Sequence, residues 1–428
     1  MKSLLRKNLK SKINLKRIEL KIFREKYKDK IIDKITVDQI IGGMRDIKSL
    51  YWDNSLLDPN EGIKFNSLSL EQLRNKLPTN YNEPMTEAML WFLLTKEIPT
   101  NAQVNNLQRE LKERSVLPEN FKNFITNLDS NLHPMTQLSS SIMHLQKDSV
   151  FSKSYKNGLS KNEYWKPIYE DIMNLIAKLP EVCALIYQKK YQNNPLIYNP
   201  NGKDYDYAGR FSNQLGFYDP KFHELMRLYM FLHSDHEGGN ASAHTCRLVG
   251  STLADPYLSL SASMNALAGP LHGLANQEVL KWILELKENL DEINQETLSE
   301  FVNNTLDKGK VIPGYGHAVL RVTDPRYTCQ REFALKNLPD DELFKIIELL
   351  YKIVPDILNE RGKVKNPYPN VDFHSGVLLN HYGLKEYEYY TVLFGLSRTI
   401  GVLSQLFWDR ALNLPLERPK SLTLECMK

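Results

Sequence analysis

Apolar residues recur at helical spacing along most of this chain, and that periodicity constrains its fold more than any other feature. In "EYWKPIYEDIMNLIAKLP", Tyr164, Ile168, Ile172 and Ile176 fall on every fourth residue, with Pro180 soon after as a stop signal. "EPMTEAMLWFLLTKEIP", "KFHELMRLYMFLHSD", "EVLKWILELKENL" and "ELFKIIELLYKIVPDIL" carry similar patterns. Strand-like alternation is confined to "NSLLDPNEGIKFNSLSL", where Asp58-Pro59-Asn60 reads as a turn between two short extended pieces. No fixed-period repeat and no Gly/Ser linker is visible. The expected fold is therefore all-α, with at most a small N-terminal hairpin.

At 428 residues the chain exceeds what one compact core usually supports, so two domains or one large helical domain is expected. A formal charge of +4 is too small at this length to argue for nucleic acid, but it suits an anionic small molecule. Cys183, Cys246, Cys329 and Cys426 lie far apart with no CxxC pair, which points to a reducing compartment rather than a zinc ribbon or a disulfide framework. No apolar run is long enough to span a bilayer. The start, "MKSLLRKNLKSKINLKR", has no acidic residue before Glu19 and spaces Leu5, Leu9 and Ile13 helically. It reads equally as an organelle-targeting segment or as a first helix with its lysines in water.

Three loop segments carry unusual chemistry. In "GPLHGLANQEV", His272 stands between two glycines at the mouth of a helix; as bare pattern it is a turn residue with a satisfied hydrogen bond. In "PGYGHAVLRVTDPRY", glycines flank Tyr315 ahead of His317, and Arg321 and Arg326 follow, a grouping able to cradle phosphate or carboxylate. In "PNVDFHSGVLL", Asp372 sits among apolar residues that can raise its proton affinity, although a helix cap would use the same residue. Upstream, "HSDHEGGNASAH" has no metal-ligand spacing, so no metal is expected. Its Gly238-Gly239 pair reads as a tight bend that turns His236 toward a cavity.

Taken together, in this order and spacing, these four segments resemble citrate synthase. "ITVDQIIGGMRDIKSLYWDNSLLDPNEGIKF", "NLHPMTQLSS", "YWKPIYEDIMNLIAKLP" and "LPLERPKS" extend the resemblance over nearly the whole chain and look like the mitochondrial, dimeric type. The resemblance implies an acyltransferase that condenses acetyl-CoA with oxaloacetate and hydrolyses citryl-CoA, in the mitochondrial matrix. It implies Asp372 as base, His272 as donor to the enol oxygen and His317 as donor to the ketone of oxaloacetate. His236, Arg326 and Arg398 hold the carboxylates, and Arg418 reaches across the interface of a homodimer with shared active sites. A histidine at a helix mouth is biased toward its neutral form by the helix dipole.

For CoA the resemblance implies Arg45, Lys161, Arg321, Lys363, Lys365 and Asn370, with the backbone from Val311 through Gly314 to Gly316. CoA is a co-substrate, and no permanently bound cofactor is implied. The implied large domain comprises 1–272 and 380–428, the latter ending in a C-terminal arm, and the small domain comprises 273–379. Two positions depart from the family: Lys161 replaces an arginine, and "GIKFNSLSL" lacks the Arg-Gly pair that often follows the phenylalanine. Two other functions use the same fold: 2-methylcitrate synthesis from propionyl-CoA, and a structural or assembly role. Retention of His272, His317 and Asp372 argues against the latter.

Overall fold

A computed structural model of the chain describes residues 3–192, 205–362 and 364–428. Among these residues nineteen α-helices carry the fold, and none is long and apolar enough to cross a membrane. The helix Tyr390–Ala411 is buried at every position, and the long helix Trp165–Tyr191 packs along it. A helix enclosed on all sides needs apolar residues all round, and the polar ones it does carry need partners. Arg398 is one of these.

Pro180 does not end its helix as the sequence suggests. The helix continues to Tyr191, because the Ile176 carbonyl, left without its usual donor by the proline, accepts the Tyr207 hydroxyl at 2.8 Å. The helix Leu4–Tyr27 buries Leu5, Leu9 and Ile13 in the main core against the helices Thr86–Thr95 and Asn101–Arg114.

The expected hairpin pairs Leu56–Asp58 with Gly62–Phe65, and the Asp58 carboxylate accepts the N–H groups of Asn60 and Glu61 in the turn. Leu68–Ser69 adds a third edge, and a further two-residue ladder joins Thr79–Asn80 to Glu83–Pro84. Between Phe65 and Leu68 the chain turns through Asn66 at φ 47° and Ser67 at φ 68°. Two consecutive left-handed residues favour Asn then Gly, so the serine at 67 occupies a position that suits glycine. This gives a physical content to the sequence departure there.

Five helices, Ala275–Asn289, Gln295–Asp307, Pro325–Asn337, Glu342–Arg361 and Asp372–His381, pack chiefly on one another. They meet the rest of the molecule chiefly through the helices Leu70–Lys76, Pro220–His233 and Tyr390–Ala411 and the 3₁₀ turn Tyr387–Tyr389. The special loops lie along this junction.

Candidate active site

His272 lies in the turn between the helices Pro256–Leu267 and Ala275–Asn289, three residues before the second begins. Its ring turns away from that helix. Nε2 lies 3.3 Å from the backbone nitrogen of Ser242 and 3.0 Å from its hydroxyl, in the first turn of the helix Ala241–Ser251. A backbone N–H can only donate, so Nε2 accepts and the proton of the neutral ring sits on Nδ1. Burial, then the charge of Arg398, pushes the imidazolium pKa down to about 4. The helix that follows His272 is not the one it bonds, so burial rather than that helix's dipole keeps the ring neutral.

His317 has the opposite tautomer. Its Nδ1 accepts the N–H groups of Val319 and Leu320, both at 3.0 Å, which leaves the proton on Nε2. Burial and then Arg326 lower its pKa to about 4. Its ring meets that of His236 edge-on at 5.5 Å. His236 Nε2 is shut off from solvent and has no hydrogen-bond partner among the described residues, and burial, with Arg326 next, holds its pKa well below the usual value.

The bend that positions His236 is not made as the sequence suggests. Glu237, at φ 62°, takes the left-handed conformation, and its N–H is held by Ser55 Oγ at 2.8 Å. Gly238 serves close approach instead, since a Cβ there would come within 2.6 Å of the Trp52 ring. That indole in turn donates to the buried carboxylate of Asp235.

Two arginines face these histidines. Arg326 is 3% exposed and is gripped by Asp324, with Nε 3.0 Å from Oδ1 and Nη2 2.6 Å from Oδ2. The Asp324 carboxylate also caps the helix Pro325–Asn337 by accepting the Arg326 N–H. Arg398 is 1% exposed; it donates from Nε to the His233 carbonyl and from Nη1 to Asn240 Oδ1, both at 3.2 Å, and stacks over Phe394. Burial, not fully offset by Asp235, brings its pKa down to about 10. A buried cation with too little compensation favours an anionic ligand.

Asp372 opens the helix Asp372–His381 but caps nothing with its side chain. Burial raises its pKa to about 6, against the pull of Arg326 and Arg398. Its backbone N–H is held by Asn370 Oδ1, whose amide also donates to the Gly316 carbonyl. The Asn370 backbone N–H donates to the Gly314 carbonyl at 2.8 Å, so this one residue ties the glycine loop to the helix of the acid. Gly314 has φ +77°, and a Cβ there would strike Phe373 at 2.8 Å.

The remaining expected residues lie elsewhere. The Arg321 guanidinium folds back onto the carbonyls of Val319 and Leu320 at 2.8 Å, stapling the His317 loop. Arg45, Val311 and Lys365 are exposed, and Lys363 lies outside the described residues. Lys161 lines a pocket of roughly 370 Å³ with Arg410 and residues 413–416, apart from the histidines. Arg418 is exposed, with no hydrogen bond or ion pair among the described residues. Sequence reading missed His233, fully buried beside Arg326 and Arg398 with Nε2 unpartnered among the described residues, and missed Asn240, Ser242 and Asp324 as orienting groups. Each acts through a contact between distant segments, except Asp324, which the "DPR" cap pattern could have signalled.

The family described as "Citrate synthase, C-terminal domain" matches residues 43–420. The mitochondrial citrate synthase 4 of Arabidopsis thaliana is 57% identical over 400 residues, covering 93% of this chain and 84% of that protein. The crystal structure of citrate synthase from Pyrobaculum aerophilum superimposes with a TM-score of 0.78 at 25% identity, over 92% of this chain and 97% of the other. A ternary complex of carboxymethyl coenzyme A and oxaloacetate with the enzyme of Thermoplasma acidophilum has the same fold, with a TM-score of 0.74 at 20% identity over 90% and 95% of the two chains.

Proposed function

The chain belongs to the citrate synthase family, and on that premise we propose which of its residues carry the reaction. The enzyme is an acyltransferase that condenses acetyl-CoA with oxaloacetate to give citrate and CoA. Oxaloacetate, a ketone dianion, suits the pocket between Arg326 and Arg398, where it supplies the negative charge that Arg398 lacks. His317 Nε2–H donates to its ketone oxygen, and His236 binds alongside. Asp372 removes a methyl proton from acetyl-CoA, and His272 Nδ1–H stabilises the enolate oxygen that forms. The enol carbon then adds to the ketone carbon, whose oxygen takes up a proton. Water finally cleaves the thioester of citryl-CoA.

The observation that carries this reading is the pair of fixed tautomers. His272 accepts from one backbone N–H and His317 from two, each on one nitrogen, and each keeps a proton on the other. A neutral imidazole donates to an oxyanion without first needing to lose a charge. An imidazolium donor would instead require pKa values far above about 4.

We also propose the small domain as 273–379, with 1–272 and 380–428 forming the large one. Its closure over oxaloacetate would exclude water and complete the acetyl-CoA site. CoA phosphates would then meet Arg45, Lys161, Arg321, Lys363 and Lys365, with Asn370 and the Val311–Gly316 backbone beside the pantetheine arm. The chain acts as a homodimer in which Arg418 completes the oxaloacetate site of the second copy. It belongs with the mitochondrial enzymes, and the matrix is the proposed compartment.

The test is thiol release from acetyl-CoA and from propionyl-CoA, with Asp372→Ala as control. Asp372→Ala should lose activity by ~10²–10⁴-fold while calorimetry shows oxaloacetate binding nearly intact. Near-normal turnover in that variant would remove Asp372 from the mechanism.

A further inference from the structure

The helix Tyr390–Ala411 gives way to an arm whose course is set by a few contacts. Asn413, at φ 58°, turns the chain, and the Leu414 N–H donates to the Asp409 carbonyl at 3.0 Å. Pro415 and Pro419 then exclude helix from the residues between them. Most of this arm is exposed, but Glu417 is fastened. Its carboxylate accepts from His244 Nε2 at 2.6 Å and from Arg247 Nε at 3.1 Å, and its own N–H donates to Ser251 Oγ at 3.0 Å.

His244, Arg247 and Ser251 lie on one face of the helix Ala241–Ser251, at the spacing of successive turns. The first turn of that helix, with its cap Asn240, holds His272 through Ser242 and Arg398 through the Asn240 side chain. One short helix therefore supports two groups of its own active site and, farther along, the arm. Neighbouring side chains of an extended segment point to opposite sides. With Glu417 turned onto the helix, Arg418 faces away from its own chain, consistent with its exposure and lack of partners among the described residues.

We propose that Glu417 is a positioning residue for oxaloacetate capture: with His244 and Arg247 it clamps the C-terminal arm so that Arg418 is presented to the site of the second copy. This rests on the proposed role of Arg418 across the dimer. The clamp spares the arm a search through many conformations, so its loss lowers the effective concentration of the arginine at the partner's site. Arg247 also donates to the Tyr51 carbonyl and lies 3.7 Å from Asp409 Oδ1. It therefore keeps partners when the Glu417 charge is removed.

The experiment compares Glu417→Gln, His244→Gln and Arg418→Ala as homodimers, then pairs Glu417→Gln with Asp372→Ala in mixed dimers purified through two different tags. Both clamp variants should raise KM for oxaloacetate, by ~5–50-fold, in the same direction as Arg418→Ala and with a smaller change in kcat. In the mixed dimer, the site on the Glu417→Gln chain keeps its Asp372 and receives an intact arm from its partner. Its KM should return to the wild-type value.

A mixed-dimer KM as high as that of the Glu417→Gln homodimer would mean that Glu417 acts inside its own chain, and would overturn the proposal. So would a raised KM in Arg418→Ala with none in the clamp variants, which leaves the role of Arg418 standing. An unchanged KM in Arg418→Ala would overturn that role and the clamp with it.

Discussion

Around Arg326 and Arg398 the polar groups are already held in place, whereas the groups assigned to CoA are divided: Arg321 and Asn370 are fastened, but Arg45, Val311, Lys161 and Lys365 stand in solvent. Asp324 grips one arginine, and Asn240 with the His233 carbonyl holds the other. Backbone N–H groups set both His272 and His317. Among the described residues, Arg45, Val311, Lys365 and Lys161 share no such network with one another. The difference follows from what each substrate demands. A small dianion must be desolvated completely, so its donors need fixed positions; a long nucleotide thioester can be gathered by flexible charges that close on it.

The sharpest way to break this contrast is to remove a fixed donor. Arg398→Met should weaken oxaloacetate binding by ~2–5 kcal/mol, because a substrate carboxylate would lose its buried partner. Calorimetric titration with oxaloacetate checks this, and a change of only a few-fold would show that the pocket is not pre-built. On the CoA side the effect should be much smaller. Lys161→Arg restores the planar fork at an exposed position and should lower KM for acetyl-CoA by about 2–5-fold, leaving the KM for oxaloacetate alone. Steady-state kinetics separates the two. Away from both regions, Ser67→Gly should relieve a left-handed serine and stabilise the fold by ~0.5–1 kcal/mol without altering either KM. Thermal unfolding beside the same kinetic assays measures it.

Much of the helical fold was legible because a buried helix writes its period into the sequence, as Ile168, Ile172 and Ile176 do. The segments bearing His272, His317 and Asp372 were equally visible, since Gly, Pro, His and Arg crowd them beyond what turns require. What stayed hidden depends on distant partners. Nothing near Pro180 announces that Tyr207 will satisfy the Ile176 carbonyl. Nothing near His272 names Ser242, thirty positions back, as the group that fixes its tautomer. The bend at His236 misled for a related reason: a glycine pair reads as a backbone requirement, but Gly238 is small to admit Trp52. Local chemistry was readable, and orientation was not.

The central claim is that burial tunes the site so that the base titrates near neutrality while both histidines stay neutral. The pH dependence of kcat/KM for acetyl-CoA tests it most directly. Asp372 must be ionised to accept a proton, and its pKa is raised to about 6, so activity should fall as pH drops through that value. His272 and His317, lowered to about 4, are already neutral there and should add no limb at higher pH. One acidic limb near pH 6, with a plateau above it, is the predicted profile. A loss of activity as pH rises from about 6 to 8, abolished by replacing His272 or His317, would show that a charged imidazole does the work and would contradict the account.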